Sequence, residues 1–327
     1  MTIWTDAARA QLVQQIVGDL DPPAQVVAVG GPRDAPIESW AEQLGCPCSD
    51  DLRQLLVEHP APWVLVAGRG LDSSDVHEAL QSGAVVLSLD PIDQIRVARS
   101  KSPGRAKAAG EQGRIELVPG FDRCFGWRRA ADPMQVLGSP RLIDFQSHGG
   151  PASAGLYARL YDAWRTLCFF VAPPESVDAS LVLPASVHTE LPEDPHAMAG
   201  HMSVHARFGP GGDGCCATIN LSDHAAVNQR RLSVIADEGH LTVCQTGYEL
   251  FDSQGRSIDQ DDVQHADVSY PRLIGEHWQR LIEQSDGLAR GPACSRSDLI
   301  SCCLACLLSA RTGQPESPAR MLEVHRA

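Results

Sequence analysis

Four residues in one short stretch are of types that could do chemistry together: Tyr157, Arg159, Tyr161 and Asp162. The tyrosines stand four apart and Arg159 and Asp162 three apart, so a helix over residues 156–170 would set each pair on one face. Tyr157 and Tyr161 could offer phenolic donors or pack the helix. Arg159 and Asp162 could form a surface ion pair worth roughly a few tenths of a kcal/mol, or face a ligand. An arginine holds its proton near neutral pH, so Arg159 cannot act as a general acid or base. Two cysteine groups are candidates for metal binding: Cys302, Cys303 and Cys306 with Cys294, and the C-x-C pair Cys46 and Cys48. No C-x-x-C repeat or paired histidine completes a zinc set, and residues 302–308 form the apolar face of a helix where cysteine packs as a small hydrophobe. His188, His196, His201 and His205 are dispersed over loops and a strand and read as separate polar residues, so no metal is expected.

The chain that must position these residues has 327 of them, enough for two domains. With 43% hydrophobic and 21% charged residues it is globular in composition, and no stretch approaches the roughly 18 consecutive apolar residues of a membrane span. A formal net charge of -14 repels phosphate backbones and anionic lipids, so neither nucleic acid nor membrane is the expected partner. A small-molecule ligand is. The first residues form no basic region followed by an apolar one, so export is not expected and the cytoplasm is. The 11 cysteines, odd in number and spread out, read as reduced thiols.

Helical spacing over residues 6–20, with Thr5 or Asp6 as cap, predicts an amphipathic helix. Continuous apolar runs at 26–29, 63–67, 84–89 and 115–118, separated by helices at 37–44, 50–57 and 74–81, predict a parallel sheet covered on both faces. The polar segment 101–113 is either an exposed helix or a loop. The chain changes character around 121–138, where we place the domain junction. Beyond it, β-rich segments at 141–145, 176–183, 202–208, 215–221, 231–236, 241–244 and 248–251 predict a mostly antiparallel sheet, interrupted by helices at 156–170, 270–284 and 296–311.

Several stretches carry a resemblance to a known family. Trp40-Ala41-Glu42-Gln43-Leu44-Gly45 is similar to a helix ending "A-E-x-L-G", and Ser49-Asp50-Asp51-Leu52 with Leu55-Leu56 to a "t-D-l-x-x-L-L" helix. Ala79-Leu80-Gln81-Ser82-Gly83, followed by Val85, Val86 and Pro91, is similar to "A-L-x-x-G-x-x-V…E-K-P". Ala236-Asp237-Glu238-Gly239-His240-Leu241 resembles a "G-t-x-G-x-l" hairpin, and Ser309-Ala310-Arg311-Thr312-Gly313 a terminal "S-A-x-T-G". In this order and spacing they resemble the glucose-fructose oxidoreductase and inositol dehydrogenase (Gfo/Idh/MocA) family over almost the whole chain. The resemblance implies a dinucleotide fold at residues 1–122 and an α+β domain at 123–327, with its last helix at about 296–311. It also implies NAD(P)-linked oxidation of a sugar, cyclitol or related alcohol, and an open second-domain sheet that could form a homo-oligomer.

Laid on the family's motifs, the site residues depart from what that chemistry needs. The helix at 6–20 stands where the family's first helix stands, yet only Met1 to Thr5 precedes it, too few for a strand and a G-x-G-x-x-G turn. Either the strand lies upstream of this sequence or Met1 to Thr5 is a stub and the sheet rearranges. The position of the ribose-binding carboxylate is Gly31, with Arg33 close behind. Arg33 could pair with the 2′-phosphate of NADP or be a solvated arginine in a Pro-Arg-Asp turn, the reading we favour. Gly68, ending a strand, and Pro91 fall at cofactor-facing positions. Asp90 replaces the family's lysine beside the nicotinamide, reversing its charge, though a strand-ending Asp90-Pro91 turn needs no chemistry. Arg159 stands at the catalytic histidine, Gly155 at the first aspartate and Asp162 at the second of "D-x-x-x-H-x-x-D".

The reading is therefore a Rossmann-like parallel domain, its first strand missing or outside this chain, followed by a mostly antiparallel α+β domain. The expected function is that of a catalytically degenerate relative, a pseudoenzyme. It would retain an inter-domain cleft for a sugar-like or polyol-like ligand, or pair with an active relative. The alternative is an active NAD(P)-dependent enzyme of an atypical subfamily using Tyr157, Tyr161 or Asp162.

Overall fold

The computed structural model describes residues 1–20, 24–33, 37–68, 71, 74–92, 113–150, 153–184, 192–209, 214–262, 269–283 and 294–326. Among them the elements of the first half run β1 (Thr2–Trp4), α1 (Ala10–Gly18), β2 (Ala28–Gly30), α2 (Glu38–Leu44), β3 (Cys48–Ser49), α3 (Leu52–Glu58), β4 (Trp63–Val66), α4 (His77–Gln81), β5 (Val85–Ser88) and β6 (Arg114–Leu117). There follow α5 (Phe125–Arg129), β7 (Pro140–His148), α6 (Leu156–Leu167), β8 (Ser176–Val182), β9 (His201–Phe208), β10 (Cys215–Ser222), β11 (Gln229–Ala236), β12 (Gly239–Cys244), β13 (Gly247–Asp252) and β14 (Ser257–Asp262). The chain ends with α7 (Tyr270–Glu283), α8 (Arg296–Thr312) and α9 (Pro318–Arg326). Apart from Gly113, the predicted segment at 101–113 lies outside the described residues.

Two compact units divide the chain: Met1–Val118 with Pro271–Ser285, and Pro119–Tyr270 with Asp286–Ala327. The sequence places a single junction after residue 122; the structure cuts after Val118 and returns α7 to the first unit. There Trp278, 1% exposed, stacks on Trp63 with ring centroids 6.0 Å apart.

The first unit is built on a parallel sheet of order β3-β2-β1-β4-β5-β6. Its central strand, which the sequence places outside the chain or in a stub, is Thr2–Trp4. Ile3 pairs with Val29 on one side and with Leu65 on the other. The Thr5 N–H donates to the Gly30 carbonyl at 2.9 Å and the Ala67 N–H to the Trp4 carbonyl at 2.7 Å. Three residues carry no periodicity for a sequence pattern to detect; the two neighbouring strands supply the partners that make them a strand. Around it Ala28, Leu55, Val64, Val66 and Val86 form an apolar cluster. Asp51 caps α3 by accepting from the Arg53 and Gln54 N–H groups.

The second unit carries an eight-stranded sheet of order β14-β13-β12-β11-β7-β10-β9-β8. Its pairs are antiparallel except β7 with β10. Every second residue of the central strands is buried, as in Ile143, Phe145 and Ser147 of β7 or Leu232 and Val234 of β11, which is the period of a sheet with one covered face. Onto that face packs α6, and α8 packs against α6 in turn, so all of α6 is buried. A capping box at Ser295 and Asp298 starts α8, and Gly313 ends it at φ +65°, a backbone that favours glycine. Cys168, just past α6, and Cys294, just before α8, are joined as a disulfide with Cα atoms 5.8 Å apart. This corrects the reading of all cysteines as thiols: 126 residues separate the two, and only the packing of α6 on α8 brings them together. Among the described residues no helix is long and apolar enough to cross a membrane.

Candidate functional site

In the first unit the turn from β1 into α1 is where a dinucleotide fold receives a pyrophosphate. Here it reads Thr5-Asp6-Ala7-Ala8-Arg9 and contains no glycine. The Arg9 N–H, which a phosphate could use, donates to the Asp6 carboxylate at 2.9 Å, so the turn is capped by its own anion. The Arg9 side chain is fully buried, because Arg9 lies on the stripe that also buries Val13 and Ile16, four and seven positions on. Its Nη1 donates to the Ala67 carbonyl past β4 at 3.0 Å and meets the Asp90 carboxylate past β5 at 2.5 Å. Asp90, 6% exposed, therefore forms a buried ion pair in addition to ending a strand.

The other first-unit candidates pack the fold. A Cβ on Gly31 would stand 2.1 Å from the Thr5 carbonyl oxygen and 2.0 Å from Ile37, so this glycine permits backbone to approach backbone. Gly68 lies against the Trp4 indole, and Pro91 is buried beside Asp90. Arg33 is solvated and paired with Asp50 at 2.5 Å, which raises the guanidinium pKa and lowers that of the carboxyl through their hydrogen bond. With no glycine cradle and a turn whose Arg9 N–H is already taken by the Asp6 carboxylate, the described residues do not fit a pyrophosphate.

In the second unit α6 lies against the end of β7. The surface pair of Arg159 with Asp162 that the spacing allows does not form, because both residues are buried and face different partners. Asp162 accepts from the Phe121 N–H at 2.9 Å and from Arg230 Nη1 at 3.1 Å. Arg230 also donates to the Pro119 carbonyl at 2.7 Å and lies over the Phe121 ring. Burial raises the Asp162 pKa above the usual carboxylate value, while Arg230 and the Phe121 N–H pull it back. Arg159 donates from Nη1 to Ser147 Oγ at 3.0 Å, from Nη2 to Ser153 Oγ at 2.7 Å and from Nε to the Ala154 carbonyl at 3.2 Å. Burial lowers its pKa to about 10. His148, at the end of β7, is lowered by burial first and then by the charges of Arg159 and His201. Tyr157 and Tyr161 are each 6% exposed, and Tyr157 meets the His196 ring edge-on at 5.1 Å.

Arg9, Arg230, Ser147 and Ser153 are the site residues that sequence reasoning missed. Two signals could have found the arginines: Arg9 stands in helical register with Val13 and Ile16, and Arg230 stands in strand register with Leu232 and Val234. Cys302, Cys303 and Cys306 are buried thiols with raised pKa values, and His188 lies outside the described residues.

No family model matches the chain, and no curated protein matches its sequence. Solved structures do match it over its length. Levoglucosan dehydrogenase in complex with NADH and levoglucosan is 12% identical, with 97% of this chain and 98% of that chain covered at a TM-score of 0.68. A myo-inositol dehydrogenase from Corynebacterium glutamicum is 18% identical, with coverages of 97% and 98% and a TM-score of 0.61. An oxidoreductase from Agrobacterium radiobacter in complex with NAD+, L-tartaric acid and magnesium is 10% identical, with 98% of each chain covered and a TM-score of 0.66. The chain thus has the fold that its resemblance implies, a parallel nucleotide-fold sheet and a mostly antiparallel second sheet, shared with the inositol and levoglucosan dehydrogenase structures.

Proposed function

We propose that this protein keeps the fold of the sugar and cyclitol dehydrogenases without their hydride transfer, and that its second unit binds a small hydroxylated ligand. The observation that carries the loss of activity is the Arg9–Asp90 pair beside a turn capped by Asp6. A bound dinucleotide brings negative charge to the turn and draws on its backbone N–H groups, of which Arg9's is already engaged by Asp6. The completed sheet removes the missing strand as a reason for degeneracy, so the reading rests on the turn, Asp90 and Arg159. Tyr157, Tyr161 and Asp162 are poor substitutes for a proton-transferring histidine: the tyrosines are almost fully buried and Asp162 is held by Arg230 and Phe121. The ligand class is suggested by neighbours that hold levoglucosan or L-tartaric acid.

The test is a fluorescence titration with NADH and NADPH, followed by turnover assays on a panel of polyols and sugars. No saturable binding is expected up to about 1 mM, the upper end of ordinary KM values. Tight binding with turnover would replace this reading with the atypical active enzyme. Use of the outer sheet face for self-association belongs to the same proposal. Light scattering at high protein concentration tests it, a strict monomer counting against it.

A further inference from the structure

We infer that the second unit carries a binding site for an oxyanion, the carboxylate or phosphate of a small hydroxylated compound, centred on Arg159 and Asn228. This rests on the reading that the second unit holds a ligand, and it names the charge that ligand brings.

Four arginines are buried among the described residues. Arg9 has Asp90, Arg165 has Asp122 at 2.9 Å, and Arg230 has Asp162. Arg159, 2% exposed, has no carboxylate within ion-pair distance among the described residues, and its three partners are all neutral. Removing a guanidinium from water without a counter-charge is unfavourable, which is why buried cations are paired or meet a charged ligand. The nearby carboxylates are already engaged. Asp162 is taken by Arg230, and Asp223 accepts the Gly200 N–H at 2.7 Å with His224 at 3.6 Å.

The surroundings supply donors. Three of the guanidinium's five N–H groups are used, which leaves one on Nη1 and one on Nη2, a pair with which arginine grips an oxyanion. The buried Asn228 Nδ2 has no hydrogen-bond partner among the described residues. Gly149 separates the two side chains: a Cβ there would stand 2.2 Å from Arg159 Nη2 and 3.0 Å from Asn228 Oδ1, and a turn of the amide plane exchanges that oxygen for Nδ2. Beside it, a Cβ on Gly150 would meet the Ala225 carbonyl oxygen at 3.7 Å and no other atom within 4 Å among the described residues. An orphaned amide donor, a guanidinium with no carboxylate at ion-pair distance among the described residues, and a glycine between them are what an oxyanion requires.

The experiment is calorimetric titration of the full chain at constant ionic strength with glucose, gluconate, glucose 6-phosphate and inorganic phosphate. Gluconate or glucose 6-phosphate should bind about tenfold tighter than glucose, and which of them does so distinguishes a carboxylate ligand from a phosphate. Arg159→Gln should abolish that preference, and Arg159→Lys, which keeps the charge and loses the fork, should weaken it. Should either fail to fold, Asn228→Leu removes the orphaned donor from a half-buried residue and should weaken oxyanion binding about fivefold without altering the circular dichroism spectrum. Glucose binding as well as the anions would overturn the inference and leave the ligand reading intact. Inorganic phosphate binding that depends on Arg159, with no sugar compound bound, would support the inference and remove the sugar reading. No response to any of the three anions up to about 10 mM would overturn the inference.

Discussion

Arg9 and Asp90 stand 81 residues apart in the chain and meet at 2.5 Å in the interior of the first unit, across the ends of β4 and β5. Neither partner can be removed singly without leaving a buried charge. Arg9→Met or Asp90→Leu alone is expected to cost about 3–5 kcal/mol, whereas the two combined should recover most of that, since a well-packed apolar pair can replace a buried ion pair. Urea unfolding of the two single variants and the double variant checks this; additive losses would contradict the coupling.

The second buried pair makes a separate forecast. Asp162→Ala leaves Arg230 in the interior and the Phe121 N–H without its acceptor, so a loss of about 3–5 kcal/mol is expected. Arg230→Met should cost a similar amount by leaving the carboxylate unpaired. The unfolding midpoints of both variants, compared with that of an Arg33→Ala control at the solvated Arg33–Asp50 pair, measure it; the control should move little.

Cysteine reactivity should follow burial. Cys48 and Cys216 are exposed and should react with a thiol reagent in the native protein, while Cys124, Cys302, Cys303 and Cys306 should react only on unfolding. Burial raises Cys124 and Cys306 from 9.0 to about 12. A folded pKa above the unfolded one means that their contribution to stability is complete below pH 9 and is lost as the pH rises from there through 12. The opposite sign holds for His148, lowered from 6.5: its contribution is present above pH 6.5 and is lost as the pH falls below it. Melting temperature against pH should decline at both ends, and Cys124→Ala should flatten the alkaline limb.

The link between Cys168 and Cys294 predicts that intact mass under denaturing conditions rises on reduction by two hydrogens per chain. Closing a loop across 126 residues restricts the unfolded chain, so reduction or Cys168→Ser should lower stability by about 2–4 kcal/mol. An unchanged mass on reduction would remove the bond.

The sequence by itself determined the two kinds of sheet, because the signals are local. Continuous apolar strands at β4 and β5 and alternating ones at β7 and β11 register as periods of a few residues, as does the amphipathic stripe of α1. Its resemblance to the family set Gly31, Asp90 and Arg159 against positions that carry other residues there, and Asp162 against the pattern's own aspartate. What it could not reach was every feature made by partners distant in the chain. Thr2–Trp4 is a strand only because β2 and β4 flank it, and Cys168 finds Cys294 only through the packing of α6 on α8. The choice of Asp90 for Arg9 and of Arg230 for Asp162, with no carboxylate at ion-pair distance from Arg159 among the described residues, was decided in three dimensions. Pairing of buried charge depends on which side chains the core brings within a few ångströms, and sequence spacing does not encode that distance.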